Sequence, residues 1–521
     1  MAELSFRCGP ARIELSAAGV VTAVLHDATP ETSLVTSAGE LRAVVDGAPV
    51  VWGRPLLSVD ADEVEVSWVA GDLRLVVRHT FALGWGIRVA LSNTASRDLT
   101  LEDPLLTWRV PDDRPAWALA AGAAGSFAVL PPSGAGPLLG GVLRVGALSA
   151  ASADGLHLGR LVLPPSGRYV VQWHWDFYAT PRDFDRGRHP DVPRRLDLTV
   201  GEAVTVSASE DEALVADHGL LVETVRDQVE LTASEAGSFP VELRSARGVT
   251  SYTLRSAEPL EALLQRAATS ALDRPRTASG VVPLPDVDAA LAVQRALAST
   301  LLEEPDVAEE ALDLYTARLP EEPPADPRTV GYLCGEHSRT ADPELLRQAT
   351  RMVLASWEPL PGLGMAGTEL CLARLLAGEP VAPVLDHLVR LAAETDLTAG
   401  SVPLVEQAAL LELEVVTMAR LPAAGGGRTA QPLAGRVTAL GGWLGAGLKG
   451  RAVTPLPVEV LAHLTAVLSL LPEPASAELR PRWGCTAHEL ARRGQAEVLC
   501  RLGGQTAGPA LSWLVLGTGP D

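Results

Sequence analysis

Basic residues are scarce in this sequence, and lysine is nearly absent. Lysine and arginine together number 43 against 64 aspartate and glutamate residues, and Lys449 is the only lysine. The formal net charge of −21 repels phosphate backbones and anionic lipid headgroups, and no run of basic residues provides a local exception. The sequence therefore predicts a protein that binds neither nucleic acid nor membrane surfaces.

Cysteine pairs, long apolar runs and a signal peptide are missing as well. The five cysteines are widely spaced with no CxxC, which argues against a disulfide framework and against a zinc cluster. No stretch approaches about 18 uninterrupted apolar residues, the length that a membrane-spanning helix needs. The N-terminus lacks the basic start and apolar core of a signal peptide. We expect a cytoplasmic protein with no metal and no cofactor, and its oligomeric state stays open.

The first half of the chain has the two-residue period of half-buried β-strands. Val64, Val66 and Trp68 alternate with polar residues, and turn-forming Asp-Gly and Gly-Asp pairs separate such runs. Many short strands with frequent turns are typical of an antiparallel sandwich rather than an α/β sheet. We predict a β-sandwich domain over residues 1–257.

One stretch of this half lacks the alternation. Ala116–Gly141 is rich in Gly, Ala, Pro and Ser. We expect short strands there at Phe127–Leu130 and Leu138–Leu143, joined by long loops.

From Glu258 the period becomes helical. Short linkers between the helical segments favour antiparallel hairpins. The helix predicted at 402–420 is apolar on most sides, which suits the inner ring of a toroid. We predict an all-α domain over residues 258–521, an (α/α) toroid of helical hairpins, with helices at about 260–272, 287–303, 306–319, 328–338, 342–357, 366–377, 381–395, 402–420, 430–448, 456–471, 486–501 and 505–516.

Several strand segments carry a family resemblance. They are ARIELSAAGVVTAVL near the start, HTFALGWGIRVALSNTASRDLTLED, GSFAVLPPSGAGPLL, and the later WHWDFYATPRDF with VPRRLDLTVGEAVTV. Together with the helices that follow, they resemble the six-hairpin glycosidases, in which a galactose-mutarotase-like β-supersandwich precedes an (α/α)6 toroid. The resemblance implies a glycoside hydrolase or phosphorylase, with catalytic acids on loops at one mouth of the toroid and a carbohydrate or glycoconjugate as partner. No acidic signature of that family can be matched to this sequence.

An aromatic segment near the end of the first half is a candidate sugar-binding surface. Alternation puts Trp173 and Trp175 on one face of a strand. His174 and Asp176 lie on the other face. Aromatic rings stack on the apolar faces of sugars while polar neighbours bind hydroxyls, so the segment predicts a carbohydrate platform. The alternative is that both tryptophans belong to the sandwich core.

Three glutamates near predicted helix starts are the candidate catalytic acids. Glu336 precedes a new helix, Glu369 follows a Gly-rich loop, and Glu406 begins the most apolar helix. Glycoside hydrolysis needs two carboxyl groups, about 5–5.5 Å apart for retention or about 6.5–9.5 Å for inversion. The alternative for each is a stabilising interaction with the helix dipole, which favours the anion.

A further sequence motif lacks the secondary structure that its function requires. Gly445, Gly447 and Gly450 match a dinucleotide-binding fingerprint by letter, but they end a helix and follow no strand. The leading hypothesis is therefore a carbohydrate-active protein with a two-carboxylate acid/base mechanism. The competing hypothesis is a non-catalytic scaffold that binds a glycan or a protein, and a cyclase on a helical toroid is a weaker third. Two carboxylates in one aromatic-lined pocket would favour the enzyme.

Overall fold

A computed structural model gives the structure, and it describes residues 4–208, 213–226, 228–276, 280–320, 324–394, 403–417, 426–445, 447–503 and 508–517. The strands of the first half are β1 (Leu4–Cys8), β2 (Ala11–Leu15), β3 (Val21–His26), β4 (Thr29–Ser33), β5 (Ser37–Val45), β6 (Ala48–Pro49), β7 (Leu56–Val59), β8 (Glu63–Ala70), β9 (Leu73–Thr80), β10 (Trp85–Asn93), β11 (Leu99–Arg109), β12 (Ala116–Ala121), β13 (Ala124–Val129), β14 (Leu138–Val145), β15 (Ala150–Ser152), β16 (Gly155–His157), β17 (Leu161–Leu163), β18 (Arg168–Tyr178), β19 (Asp197–Thr199), β20 (Ala203–Ser207), β21 (Ala213–Ala216), β22 (Leu220–Val225), β23 (Gln228–Ala233), β24 (Gly237–Ser245) and β25 (Gly248–Ala257).

Helices make up most of the second half. They are α2 (Leu260–Leu272), α3 (Val287–Ala298), α4 (Pro305–Arg318), α5 (Pro327–Thr340), α6 (Pro343–Ala355), α7 (Leu363–Leu376), α8 (Ala382–Glu394), α9 (Leu404–Thr417), α10 (Gly426–Trp443), α11 (Val458–Ser469), α12 (Glu473–Ala477), α13 (Arg480–Trp483), α14 (Ala487–Leu502) and α15 (Pro509–Gly517). A short helix, α1 (Pro181–Asp185), follows β18, and a two-residue strand, β26 (Arg451–Ala452), lies between α10 and α11. The prediction of antiparallel β-structure followed by a helical region is confirmed.

Two large sheets form the first sandwich. A ten-stranded sheet has the main order β1-β2-β3-β5-β11-β16-β15, with β4 paired to β3, β6 to β5 and β17 to β11. A nine-stranded sheet follows β26-β12-β13-β14-β18-β10-β9-β8-β7. The sheets meet over a shared apolar core. At its centre Trp108 of β11 stacks on Trp175 of β18, with ring centroids 3.9 Å apart and planes within 2°.

A second, smaller sandwich follows in the same half. Its four-stranded sheet, β19-β25-β24-β21, faces a three-stranded sheet, β20-β23-β22. Leu198, Leu231 and Leu254 are buried between them. The sequence predicts one sandwich over residues 1–257, and the structure divides that stretch into two.

The Gly- and Ala-rich stretch after residue 115 is regular sheet, contrary to the expectation of long loops. β12, β13 and β14 are consecutive antiparallel neighbours in the nine-stranded sheet. Every residue of β13 is buried. Strands covered on both faces show no polar alternation, so the period that identifies half-buried strands was absent.

The helical half is a closed double ring. The inner helices α3, α5, α7, α9, α11 and α15 each pack on the next, and α15 packs back on α3. The helices α2, α4, α6, α8, α10 and α14 pack outside them. All twelve predicted segments correspond to these helices within a few residues. No single helix among the described residues is long and apolar enough to cross a membrane, although the bent pair Val458–Ser469 with Glu473–Trp483 passes by length and composition.

The connection from α10 to α11 joins the two halves. β26 adds to the edge of the nine-stranded sheet by pairing with β12. The Nε1 of Trp117 donates to the carbonyl of Gly442 at 3.0 Å. Lys449, the single lysine, donates from Nζ to the carbonyls of Arg188 and His189 at 2.8 and 2.6 Å. We call residues 442–445 and 447–453 the joint.

A second polar contact at the joint crosses the halves. The Asp197 carboxylate accepts from Arg255 Nε at 2.6 Å and from Arg451 Nη1 at 2.9 Å. Burial opposes the charged form of Asp197, but the two guanidinium groups outweigh it and hold its pKa below the ordinary value.

The glycines of the joint are required by geometry. Gly450 has φ of +111°, and a Cβ there would lie 2.2 Å from the Ala118 carbonyl oxygen. We expect Gly450→Ala to lower the free energy of unfolding by about 2–4 kcal/mol, because it adds a backbone clash to left-handed strain. Gly47→Ala is the matched control. Gly47 has φ of +85°, but a Cβ there would have no atom within 4 Å, so this variant has the left-handed backbone strain without the clash. Denaturant titration measures both, and equal losses would contradict the clash.

Asp197 predicts a pH-dependent stability. Asp197→Asn removes one partner of a buried ion pair, so we expect it to cost about 3 kcal/mol near pH 7. A carboxylate whose pKa is depressed by folding stabilises above its unfolded pKa of about 3.9, and this contribution is lost as the pH falls through the folded pKa. The gap between the two proteins should therefore shrink below about pH 4. Asp112→Asn, at an exposed position, is the control, and a gap independent of pH would refute the charge assignment.

Candidate functional site

The prediction that Trp173 and Trp175 form a sugar-binding surface is wrong. Trp173 and Trp175 are each 1% exposed and belong to the core between the large sheets. Neither ring offers a face to a ligand, because Trp175 is stacked on Trp108. His174 is partly buried and Asp176 exposed on the opposite face of β18, so the alternation was assigned correctly but the core lies on the aromatic side.

The three candidate glutamates occupy different environments. Glu406 is exposed in the first turn of α9. Glu369 lies in the second turn of α7 and lines a cavity of about 510 Å³ between α3, α4, α5 and α7. Glu336, on α5, is completely buried beside the same cavity wall and bonds to two of its residues. We call this space the α3–α5–α7 cavity; its polar lining is Gln294, Arg295, Glu309, Ser338, Arg339 and Glu369.

Glu369 is the buried acid of the cavity. Its carboxylate forms an ion pair with Arg295 of α3, and its side chain is 10% exposed. Burial raises the pKa of Glu369, and the Arg295 charge only partly offsets this. Glu309 of α4 lines the same cavity from an exposed position. The cavity therefore holds one carboxyl group whose pKa is raised by burial and a second that is open to solvent.

Glu336 is held by other side chains. It accepts from Gln294 Nε2 at 2.8 Å and from Arg339 at 2.6 and 3.1 Å. The Arg339 guanidinium lies against the cavity, while the Glu336 carboxylate lies behind it. This arrangement uses Glu336 to orient Gln294 and Arg339. Gln294 Oε1 is buried without a hydrogen-bond partner among the described residues, so it can accept from a donor that enters the cavity.

A separate polar network lies within the inner ring. Each inner helix contributes at least one residue to it, and the network lies near the N-terminal ends of α3, α5 and α7. Its members are Asp288 on α3, Arg328 on α5, the α7 residues Gly364 and Met365 with their N-cap Gly362, Glu412 on α9, His463 on α11, and Ser512 and Trp513 on α15. We call it the inner-ring network.

Glu412 is the centre of this network. It accepts from the backbone N–H groups of Gly362, Gly364 and Met365 at 3.0, 3.1 and 3.3 Å, so it caps α7. His463 Nε2 donates to the same carboxylate, and both side chains are buried. An anion at a helix N-terminus is stabilised by the helix dipole, so this pair stabilises the ring.

Sequence reasoning missed the partners of the candidate acids. Arg339 is three residues from Glu336 on α5, an i,i+3 spacing that indicates such a pair, whereas no spacing rule connects Arg295 of α3 with Glu369 of α7. For Glu412 a signal existed, because it is one of three charges within the most apolar helix predicted. A lone charge in an apolar inner helix requires a buried partner. His463 interrupts the apolar α11 in the same way.

Comparison with known proteins supports the fold. No family model and no curated protein matches the chain. A solved polysaccharide lyase superposes with a TM-score of 0.70 at 10% identity, covering 94% of this chain and 92% of that one. Two further solved structures are much less similar. A glycoside hydrolase family 81 protein from Clostridium thermocellum has a TM-score of 0.25 at 8% identity, covering 96% of this chain and 67% of that one. The periplasmic domain of Thermotoga maritima YidC has a TM-score of 0.23 at 14% identity, covering 36% of this chain and 89% of that one. The chain thus shares the fold of a polysaccharide lyase across both halves. The comparisons do not establish that it belongs to the six-hairpin glycosidase family.

The structural role of Glu412 can be tested. Glu412→Gln places an amide against N–H donors of α7 and removes the anion beside His463. We expect a loss of about 2–4 kcal/mol in the free energy of unfolding, since buried donors are left unsatisfied. Glu406→Gln changes an exposed glutamate of the same helix and should cost less than about 0.5 kcal/mol. Similar values for both variants in denaturant titrations would contradict the assignment.

Proposed function

We propose that this is a carbohydrate-active protein that binds an oligosaccharide or glycoconjugate in the α3–α5–α7 cavity. The observation that carries the proposal is Glu369, a buried carboxyl group of raised pKa on the wall of that cavity. The likeness of both halves to a polysaccharide lyase supports the carbohydrate class. Gln294, Ser338 and Arg339 supply the hydrogen-bonding groups that sugar hydroxyls require.

The proposed chemistry is acid/base cleavage of a glycosidic bond. Glu369 is the proposed general acid, because burial raises its pKa above that of an exposed carboxyl group. Glu309, open to solvent on the same cavity, is the base that activates water, or that orients phosphate in a phosphorolytic reaction. Arg295 stabilises the Glu369 carboxylate that remains once its proton has passed to the leaving oxygen.

A non-catalytic binding function is the second candidate, and two observations favour it. Both buried carboxylates are already neutralised by arginine, and the cavity lining contains no aromatic side chain among its described residues. The exposed side chains of Leu372, Leu375 and Leu376 continue from the cavity along α7. Apolar surface beside a cavity suits a protein partner.

The test is a glycan array followed by cleavage assays on each ligand that binds. We expect Glu369→Gln to keep glycan affinity and to lower kcat by about 10²–10⁴-fold, because it removes the proton donor and preserves shape. Glu406→Gln, outside the cavity, should leave both unchanged. New reducing ends without ultraviolet absorbance indicate hydrolysis, and an absorbing unsaturated product would indicate elimination instead. Binding without cleavage would favour the second candidate, and no binding to any glycan would refute the carbohydrate assignment.

A further inference from the structure

A second cavity, of about 430 Å³, lies where the small sandwich meets the helical half. Two arginine pairs line it: Arg194 and Arg195 precede β19, and Arg492 and Arg493 lie on α14. We call it the arginine cleft. The residues that line it differ from those of the α3–α5–α7 cavity. In a chain of net charge −21, four guanidinium groups around one cavity are a strong local exception.

Hydrogen-bond donors exceed acceptors on the wall of this cleft. A guanidinium carries five N–H donors. Arg492 is exposed and forms no ion pair within the described part of the chain, while Arg493 donates to the neutral carbonyl of Gly445. Arg194 forms an ion pair with Asp185, with Nε and Oδ2 3.6 Å apart. Arg195 is satisfied, by Glu202 at 3.0 Å.

The acidic residue on the wall does not use these donors. Glu489 completes the capping box of α14, accepting from the backbone N–H of Thr486 at 2.6 Å. The pKa of Glu489 is lowered mainly by that backbone hydrogen bond. Glu489 therefore directs its carboxylate to the N-terminus of its own helix.

We propose that the arginine cleft binds a tetrahedral oxyanion, a phosphate or sulfate group, either free or esterified to a larger ligand. Planar guanidinium forks match the oxygen pairs of such groups and bind them through two parallel hydrogen bonds. Gly447 and Gly484 form part of the wall, so a bulky anion meets backbone rather than side chains there. An anion held by arginines of both halves also ties the small sandwich to α14. This proposal does not depend on the carbohydrate function.

Titration calorimetry and thermal unfolding of the full chain test the proposal. The probes are inorganic phosphate, inorganic sulfate and glucose 6-phosphate, each against sodium chloride at equal ionic strength. We expect saturable binding of at least one oxyanion, with Tm rising as its concentration rises. Tighter binding of glucose 6-phosphate than of inorganic phosphate identifies an esterified ligand, and the reverse a free ion. Both outcomes support the site.

Arg492→Gln is the diagnostic variant, because the side chain is exposed and its loss should not impair folding. We expect about tenfold weaker oxyanion binding in Arg492→Gln. Affinity should recover in part in Arg492→Lys, because lysine keeps the positive charge but lacks the paired N–H donors of the guanidinium group. Arg74→Gln removes the same charge from an exposed position on β9 and should leave affinity unchanged. A Tm shift equal to that of chloride, or equal losses in Arg492→Gln and Arg74→Gln, would overturn the proposal, and neither result bears on glycan binding.

Discussion

The two halves are held together by backbone pairing at a sheet edge. Arg451 and Ala452 belong to the helical half in sequence, yet they form the last strand of the nine-stranded sheet. Backbone hydrogen bonds fix distance and register together, so the toroid cannot slide along the sandwich without breaking them. The side chains that follow this register, Lys449 and Arg451, then reach carbonyl and carboxylate groups of the first half. The arginine cleft exists because this joint brings α14 against the small sandwich.

Helices were predictable and some strands were not, for one physical reason. An outer helix of the double ring has one buried and one solvent-facing side, so its period survives in the sequence, and an inner helix stands out as a long, largely apolar segment. β13 is buried on both faces, and its alanine and glycine residues carry no alternation. The same effect misassigned Trp173 and Trp175, since the sequence shows that they share a face but not which face is covered.

The candidate site was predictable only in part. Glu336 and Glu369 were identified because glutamates near predicted helix starts are conspicuous, and both border one cavity, although Glu336 lies in the C-terminal part of α5. Arg339 lies three residues after Glu336 on the same helix, so that pair follows a local spacing, whereas tertiary packing alone brings Arg295 of α3 to Glu369 of α7. The arginine doublets follow the same rule: each is unremarkable in sequence, and the basic surface arises only when the joint brings them together. Charge composition therefore describes the whole surface of this protein and not its cavities.

The joint also sets an order for synthesis. A chain made from its N-terminus completes β12 long before Arg451 and Ala452 exist. During that interval the nine-stranded sheet has an open edge, and the indole N–H of Trp117 lacks the Gly442 carbonyl that later accepts it. Open strand edges are where nascent chains associate wrongly. The connection that covers the β12 edge is therefore made only after the β half, so the β half in isolation exposes that edge.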